Sequence, residues 1–140
     1  MRGGKEERGV PETPSLWATL ILRDFVDLYS MEPQVRREIK MAMGETCEVF
    51  LPICTHTISS KDFKVSIFDG YAFVRHDGVK DFESRLRKLR LCYIQGVLYN
   101  GKSKVHYVSG SEIAKFRKEL NQRIYNCAPS VKVLGLVLYS

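Results

Sequence analysis

The sequence predicts an α+β fold: a mainly antiparallel sheet with helices packed on one face of it. Three observations carry that expectation. Strand-length apolar runs and helical periodicities follow one another in mixed order. Turn residues separate them at short intervals. A chain of 140 residues with 44% hydrophobic composition also has enough apolar material for one core. The order of elements is strand, helix, about three strands, helix, strand pair, helix, which is ferredoxin-like in outline.

Residues 1–14 are rich in glycine, proline and charge with almost nothing to bury, and read as a disordered leader. The folded domain is expected over 15–126, with 127–140 as a tail. Leu16 to Leu22 (LWATLIL) is a nearly continuous apolar run, the pattern of a strand buried on both faces. Pro33 suits a first helical turn, and Val35, Ile39, Ala42 and Met43 then recur at helical spacing up to Gly44. Arg36, Arg37 and Lys40 fall on the other side of that helix, as a solvated face or an anion site.

Thr46 to Ile53 (TCEVFLPI) is β-rich and closes with a proline. The polar stretch Thr55 to Lys64, centred on Ser59-Ser60-Lys61-Asp62, reads as a hairpin tip whose second arm resumes at Phe63. Val65, Ile67, the Asp69-Gly70 step and Tyr71 to Arg75 predict one further strand. On it Asp69, Tyr71 and Phe73 share one face, and Phe68, Gly70, Ala72 and Val74 the other, which can pack under the helices. Asp81 can cap a second helix (DFESRLRKLR) with Phe82, Leu86 and Leu89 as its apolar stripe. Arg85, Arg87, Lys88 and Arg90 make the rest of it the densest positive patch in the chain. Tyr93 to Tyr99 is strand-like around Gly96, Asn100-Gly101 is a two-residue turn, and Val105 to Val108 returns. Ser109 with Glu112 forms a capping box for a third helix bearing Ile113, Phe116, Leu120 and Ile124 on one side.

Net charge of +6 and a pI near 9.2 favour anionic partners. No run reaches the roughly 20 apolar residues of a membrane span, and the N-terminus lacks a signal peptide's apolar stretch, so no membrane partner and a cytoplasmic location are expected. Cys47, Cys54, Cys92 and Cys127 form no metal or redox motif and read as reduced, mostly buried thiols. His56, His76 and His106 lack ligand spacing. Cys54 and His56 share a strand face but have no third orienting group, so a nucleophile is not assembled there. No phosphate-binding glycine loop is present, and DGYAFVRH only superficially matches an RNA-recognition-motif core. The chain is expected to be no enzyme and to need no cofactor or metal.

Four segments in this order resemble the N-terminal (NGN) domain of the NusG family of transcription elongation and antitermination factors. The Trp17 strand resembles the family's opening W-Y-V strand, and VFLPICTHTI its strand that ends in proline. IFDGYAFV resembles F-P-G-Y-V-F-V, and IQGVLYNGKSKVHYVSGSEIAKF resembles V-x-G-F-V-G-x-x-x-x-P-x-x-I-x-x-x-E-I. The likeness spans roughly residues 16–120; Asp69, Val97 and His106 depart from it, standing at or near the family's proline, aromatic and proline.

The resemblance implies a factor that binds the clamp helices of the largest subunit of a multisubunit RNA polymerase and bridges the cleft, suppressing pausing or termination. Phe68, Tyr71, Phe73 and Val97 would meet the clamp helices, and Phe82, Glu83, Ser84 and Arg85 the opposite jaw. Arg87, Lys88 and Arg90 would lie beside the non-template DNA strand of the bubble, giving nucleoid association. Other antitermination factors are implied as further partners. Family members continue into a small β-barrel, the KOW domain; PSVKVLGLVLYS resembles at most its linker or first strand. Two rival readings remain. In one, the chain is a single-stranded nucleic-acid-binding module that stacks bases on Tyr71, Phe73 and Tyr93. In the other, it is an inhibitor that competes with the resident NusG for polymerase.

Overall fold

β1 (Leu16–Leu22) is the middle strand of the main sheet in this computed structural model, which describes residues 15–58 and 60–127. The expected leader and all of the expected tail beyond Cys127 lie outside the described residues. Among the described residues the fold is mixed α+β, with mainly antiparallel sheets and three helices. The observed β1 has the bounds its apolar run predicts, and both of its faces are buried. Ala18, Leu20 and Leu22 enter one core, while Trp17 enters a second on the opposite side.

α1 spans Leu28–Met43, beginning more than a turn before the position expected for it. Asp27 caps it by accepting a 3.0 Å hydrogen bond from the Tyr29 N–H. Pro33 is therefore inside the helix, where it cannot donate to the Tyr29 carbonyl one turn back. The Lys64 ammonium takes that orphaned acceptor at 2.5 Å, so the proline is accommodated by a side chain from a distant strand. Arg36 and Lys40 are not simply solvated: they donate to the Val49 and Cys47 carbonyls at 3.2 and 2.9 Å. This covers the outer edge of β2 (Val49–Phe50), a short edge strand.

The long strand expected over 46–53 is reduced to β2, and Pro52 separates it from β3 (Ile53–Ile58). β3 pairs with β4 (Lys61–Ser66) as a hairpin that shares no ladder with the main sheet. β4 does not continue through Asp69-Gly70 as expected. The chain turns there, with Gly70 at φ 90°, a left-handed conformation that favours glycine, and β5 (Tyr71–Arg75) enters the main sheet beside β1. The Gly70 carbonyl accepts from Leu22 N–H at 2.8 Å, so the turn delivers β5 into register.

α2 (Phe82–Arg87) is shorter than its basic run, and Asp81 stands before it without capping it; its carboxylate accepts from Arg85 instead. β6 (Ile94–Val97) and β9 (Tyr107–Ser109) both run antiparallel to β1 on its other side, covering its second and first halves. Between them a hairpin of β7 (Tyr99–Asn100) and β8 (Lys104–Val105) loops out. Its pairing leaves a three-residue turn, Gly101 to Ser103, rather than the two-residue Asn-Gly turn expected. α3 (Gly110–Cys127) starts where the Ser109 hydroxyl accepts from Glu112 N–H at 3.2 Å. A Cβ at Gly110 would fall 2.0 Å from Ser15 Oγ, so a larger residue there needs the Ser15 hydroxyl to swing away.

The main sheet has the order β2-β5-β1-β6, with β9 beside β1 as well. α1 and α2 pack on one face, against Ala18, Leu20, Ala72 and Val74. α3 does not join them. It crosses the other face, from β9 and β1 to the β3–β4 hairpin, so the helices lie on both sides of the sheet. The reason is in the residues: Trp17, Phe50 and Phe73 make that face too apolar to leave in water, and Ile113, Leu120 and Ile124 of α3 are fully buried against it.

This layering separates neighbouring residues on β5. Phe73→Ala should cost about 3–5 kcal/mol in urea unfolding, whereas Tyr71→Ala should stay within about 1 kcal/mol. Similar losses for the two would contradict the placement of Phe73 beneath α3.

Candidate functional site: an apolar ledge and a basic hairpin

The expected clamp-binding set does not form one surface. Phe73 is only 3% exposed, sealed by Phe50, Phe68 and Phe116, whose rings lie 5.9–6.0 Å from its own. Val97 is buried on the opposite side of the sheet: it pairs with Leu20 and faces α1 and α2. Its strand adjoins β1, not β5, and the pleat turns it away from Tyr71. Tyr71 remains 37% exposed, and half-buried Phe68 meets it edge-on at 6.2 Å.

Around Tyr71 a smaller apolar ledge is left open. Tyr71 pairs with Ile21, whose other neighbour across the sheet is Gly96. Leu98, one residue past Val97, donates to the Thr19 carbonyl at 2.8 Å. Ile21 and Leu98 are both half-buried. Ile21, Phe68, Tyr71 and Leu98 thus gather at the end of the sheet away from α3's start. Alternation in the sequence identifies Tyr71; the membership of Ile21 and Leu98 follows only from strand register.

The four residues expected at the opposite jaw are mostly occupied by the fold. Phe82 is 1% exposed and packs on the His76 ring at 4.2 Å. Arg85 bonds the Met43 carbonyl, Asp77 and Asp81, tying α2 to the end of α1. Glu83 accepts from the Tyr107 hydroxyl at 2.6 Å and pairs with Arg87 at 3.5 Å. Ser84 alone of the four is exposed.

Arg87 is similarly engaged. Its guanidinium donates to the Ser103 carbonyl at 2.7 Å and lies 5.3 Å from the Tyr99 ring centroid, binding α2 to the β7–β8 hairpin. Lys88 and Arg90 are exposed and have no ion-pair partner among the described residues. Lys102 and Lys104 on the hairpin are in the same condition. Sequence reasoning missed Tyr99, Lys102 and Lys104, although their clustering about Asn100-Gly101 was visible.

Tyr93, expected to stack bases beside Tyr71 and Phe73, packs instead against the α1/α2 core and tilts toward Phe25 at 6.2 Å. It lines a groove of about 440 Å³ with Met41, Ala42 and Leu91. Cys47 and Cys54 are buried, and burial pushes both thiols up, away from the thiolate a nucleophile requires; Cys92 is exposed. Among the described residues no group of three or more His, Cys, Asp or Glu is placed to hold a metal, and no helix is long and apolar enough to cross a membrane.

Burial and the hydrogen bond to Glu83 raise the Tyr107 hydroxyl well above its ordinary range, so it stays a donor. At Asp77, burial opposes ionisation, but the Arg85 and Val79 hydrogen bonds outweigh it and hold the carboxyl below its usual value. Compared with known proteins, the chain matches no family model, no curated protein and no solved structure.

Because folding lowers the Asp77 pKa, the stability it contributes is present above the unfolded carboxylate's value of 3.8 and is lost as pH falls through the lower folded value. Asp77→Asn should therefore cost up to about 1 kcal/mol at pH 7, as for an ion pair still partly open to solvent. The difference from the parent protein should shrink toward zero in acid, which urea titrations at both pH values would measure.

Proposed function

We propose that the protein is a NusG-like transcription elongation or antitermination factor, a ferredoxin-like NGN domain that docks on the clamp helices of a multisubunit RNA polymerase. The observation that carries this reading is the coincidence of motif order with topology. The four segments that resemble the family fall on β1, on β2 with β3, on β5, and on β6 through α3. The β2-β5-β1-β6 order, with α1 and α2 on one face, suits a split βαβ arrangement.

In this reading the clamp contact is the ledge of Ile21, Phe68, Tyr71 and Leu98, with Tyr71 as its aromatic anchor. Phe73, on the same face but sealed by α3, bears on that anchor only through the Phe68 ring and touches no partner. Ser84 is the group free to meet the opposite jaw. The protein performs no chemistry. By binding the closed clamp more tightly than the open one, it shifts the polymerase away from paused states by that difference in affinity alone.

Binding to core polymerase, measured by pull-down and by anisotropy, tests the proposal. Tyr71→Ala should weaken it by about tenfold or more, as truncation of an aromatic anchor costs about 2 kcal/mol, while thermal unfolding stays near that of the parent. No binding by the parent protein, or equal binding by the variant, would sink the reading.

A further inference from the structure

A polar cleft of about 280 Å³ opens at the β2 edge of the sheet, where helices from the two faces meet the same short strand. Glu32 and Arg36 of α1, the chain between Val49 and Thr55, and Arg117 of α3 line it. Its strongest acceptors are already in use. The Val49 carbonyl takes one Arg36 nitrogen at 3.2 Å, and the Leu51 carbonyl takes the Ile53 N–H at 2.7 Å. The Glu32 carboxylate is held by the other Arg36 nitrogen at 2.9 Å, so Arg36 brings charge to the cleft but no open fork.

Arg117 is in the opposite condition. Its guanidinium lies 5.2 Å from the Phe50 ring centroid and 5.6 Å from that of Trp17, so two buried aromatic side chains hold it in place. Stacking fixes the plane of a guanidinium without using its N–H groups. Arg117 is half-buried, yet it donates to no acceptor among the described residues. The acids near it along α3 are engaged elsewhere, Glu119 with Arg123 at 2.6 Å and Glu112 with Lys115 at 3.8 Å. Arg36 and Arg117 against Glu32 leave the cleft with a net positive charge. The exposed Thr55 hydroxyl, also without a partner among the described residues, adds a further donor.

We propose that this cleft binds a small oxyanion, the phosphate or carboxylate group of a low-molecular-weight ligand, with the Arg117 guanidinium as its fork. A guanidinium whose plane is fixed beforehand can meet two oxygens of one group at once, which is the strong form of a charge-assisted hydrogen bond. The spent acceptors and the positive balance disfavour a cation. The volume stands at the small end of ligand pockets, which run about 300–1,000 Å³, and suits a single molecule rather than a polymer strand. Trp17 is the one tryptophan of the chain, so its emission reports capture of an anion by the guanidinium that lies over its ring. The proposal needs neither the polymerase nor the Tyr71 ledge.

Titration of the full chain with sodium phosphate and with sodium acetate, each replacing sodium chloride at constant ionic strength, is the test, read by calorimetry and by Trp17 emission. At least one anion should bind saturably, and the tighter of the two identifies the group. Arg117→Gln should weaken binding by about tenfold or more, the loss expected for a charged hydrogen-bond donor. Arg117→Lys keeps the charge without the fork and should not restore it. Glu32→Gln still offers Arg36 an acceptor but removes the opposing charge, so it should tighten binding severalfold, a gain that misfolding cannot produce. Arg37→Gln removes the same charge from an exposed position on α1 outside the cleft and should change nothing. No saturable binding of either anion, binding with no change in Trp17 emission, equal affinity in Arg117→Gln, or an equal loss in Arg37→Gln would each overturn the proposal.

Discussion

The β7–β8 hairpin and the Leu98 end of the apolar ledge are positioned by the way the chain completes the outer side of β1. A middle strand buried on both faces must pair along both edges, because an unpaired backbone group there has no water to turn to. β5 satisfies one edge continuously. The other is satisfied in two pieces, β6 and β9, and the chain between them is looped out as a hairpin. Thr19 is the junction. It is 3% exposed, its backbone groups meet Leu98 and His106, and its hydroxyl lies 2.9 Å from His106 Nδ1. Leu98 then belongs to the ledge, and the next residue, Tyr99, to the basic hairpin.

The second constraint is that both faces of the sheet are apolar. α1 and α2 cover one, and α3 covers most of the other together with the β3–β4 hairpin. Arg117 extends that cover, lying over the Trp17 and Phe50 rings at 5.6 and 5.2 Å. Among the described residues, the end of that face near Tyr71 stays open as an apolar surface. The position of α3 thus divides the aromatic residues of β5 and its approach into a sealed group, Phe73, and a presented group, Tyr71.

The sequence was most legible where a signal is local. The apolar run of β1 and the Ser109/Glu112 start of α3 fall where their residues place them, because strand length and capping are decided within a few positions. Pro33 misled for a tertiary reason: its cost depends on whether the freed carbonyl finds a donor, and that donor is Lys64 on another element. Alternation on β5 correctly put Tyr71 and Phe73 on one face but could not say that a helix some 40 residues later would cover half of it. Val97 shows the same limit, since a strand's neighbour and its pleat are set by pairing, not by its own residues. The basic run of α2 was visible, but Arg85 and Arg87 are spent on internal contacts, and the free cations lie partly on a hairpin with a weaker signal.

The β3–β4 hairpin has its own two-stranded ladder and none with the main sheet. Besides the side chains packed under α3, it is moored by Lys64 to the Tyr29 carbonyl, by Arg123 to the Ser66 carbonyl, and by the Tyr29 and Ser66 hydroxyls at 3.1 Å. A unit attached in this way can detach as a whole while the five-stranded sheet stays zipped. Its amides would then exchange with solvent together, ahead of those of β1, and its departure would strip α3 of the surface that Leu120 and Ile124 rest on.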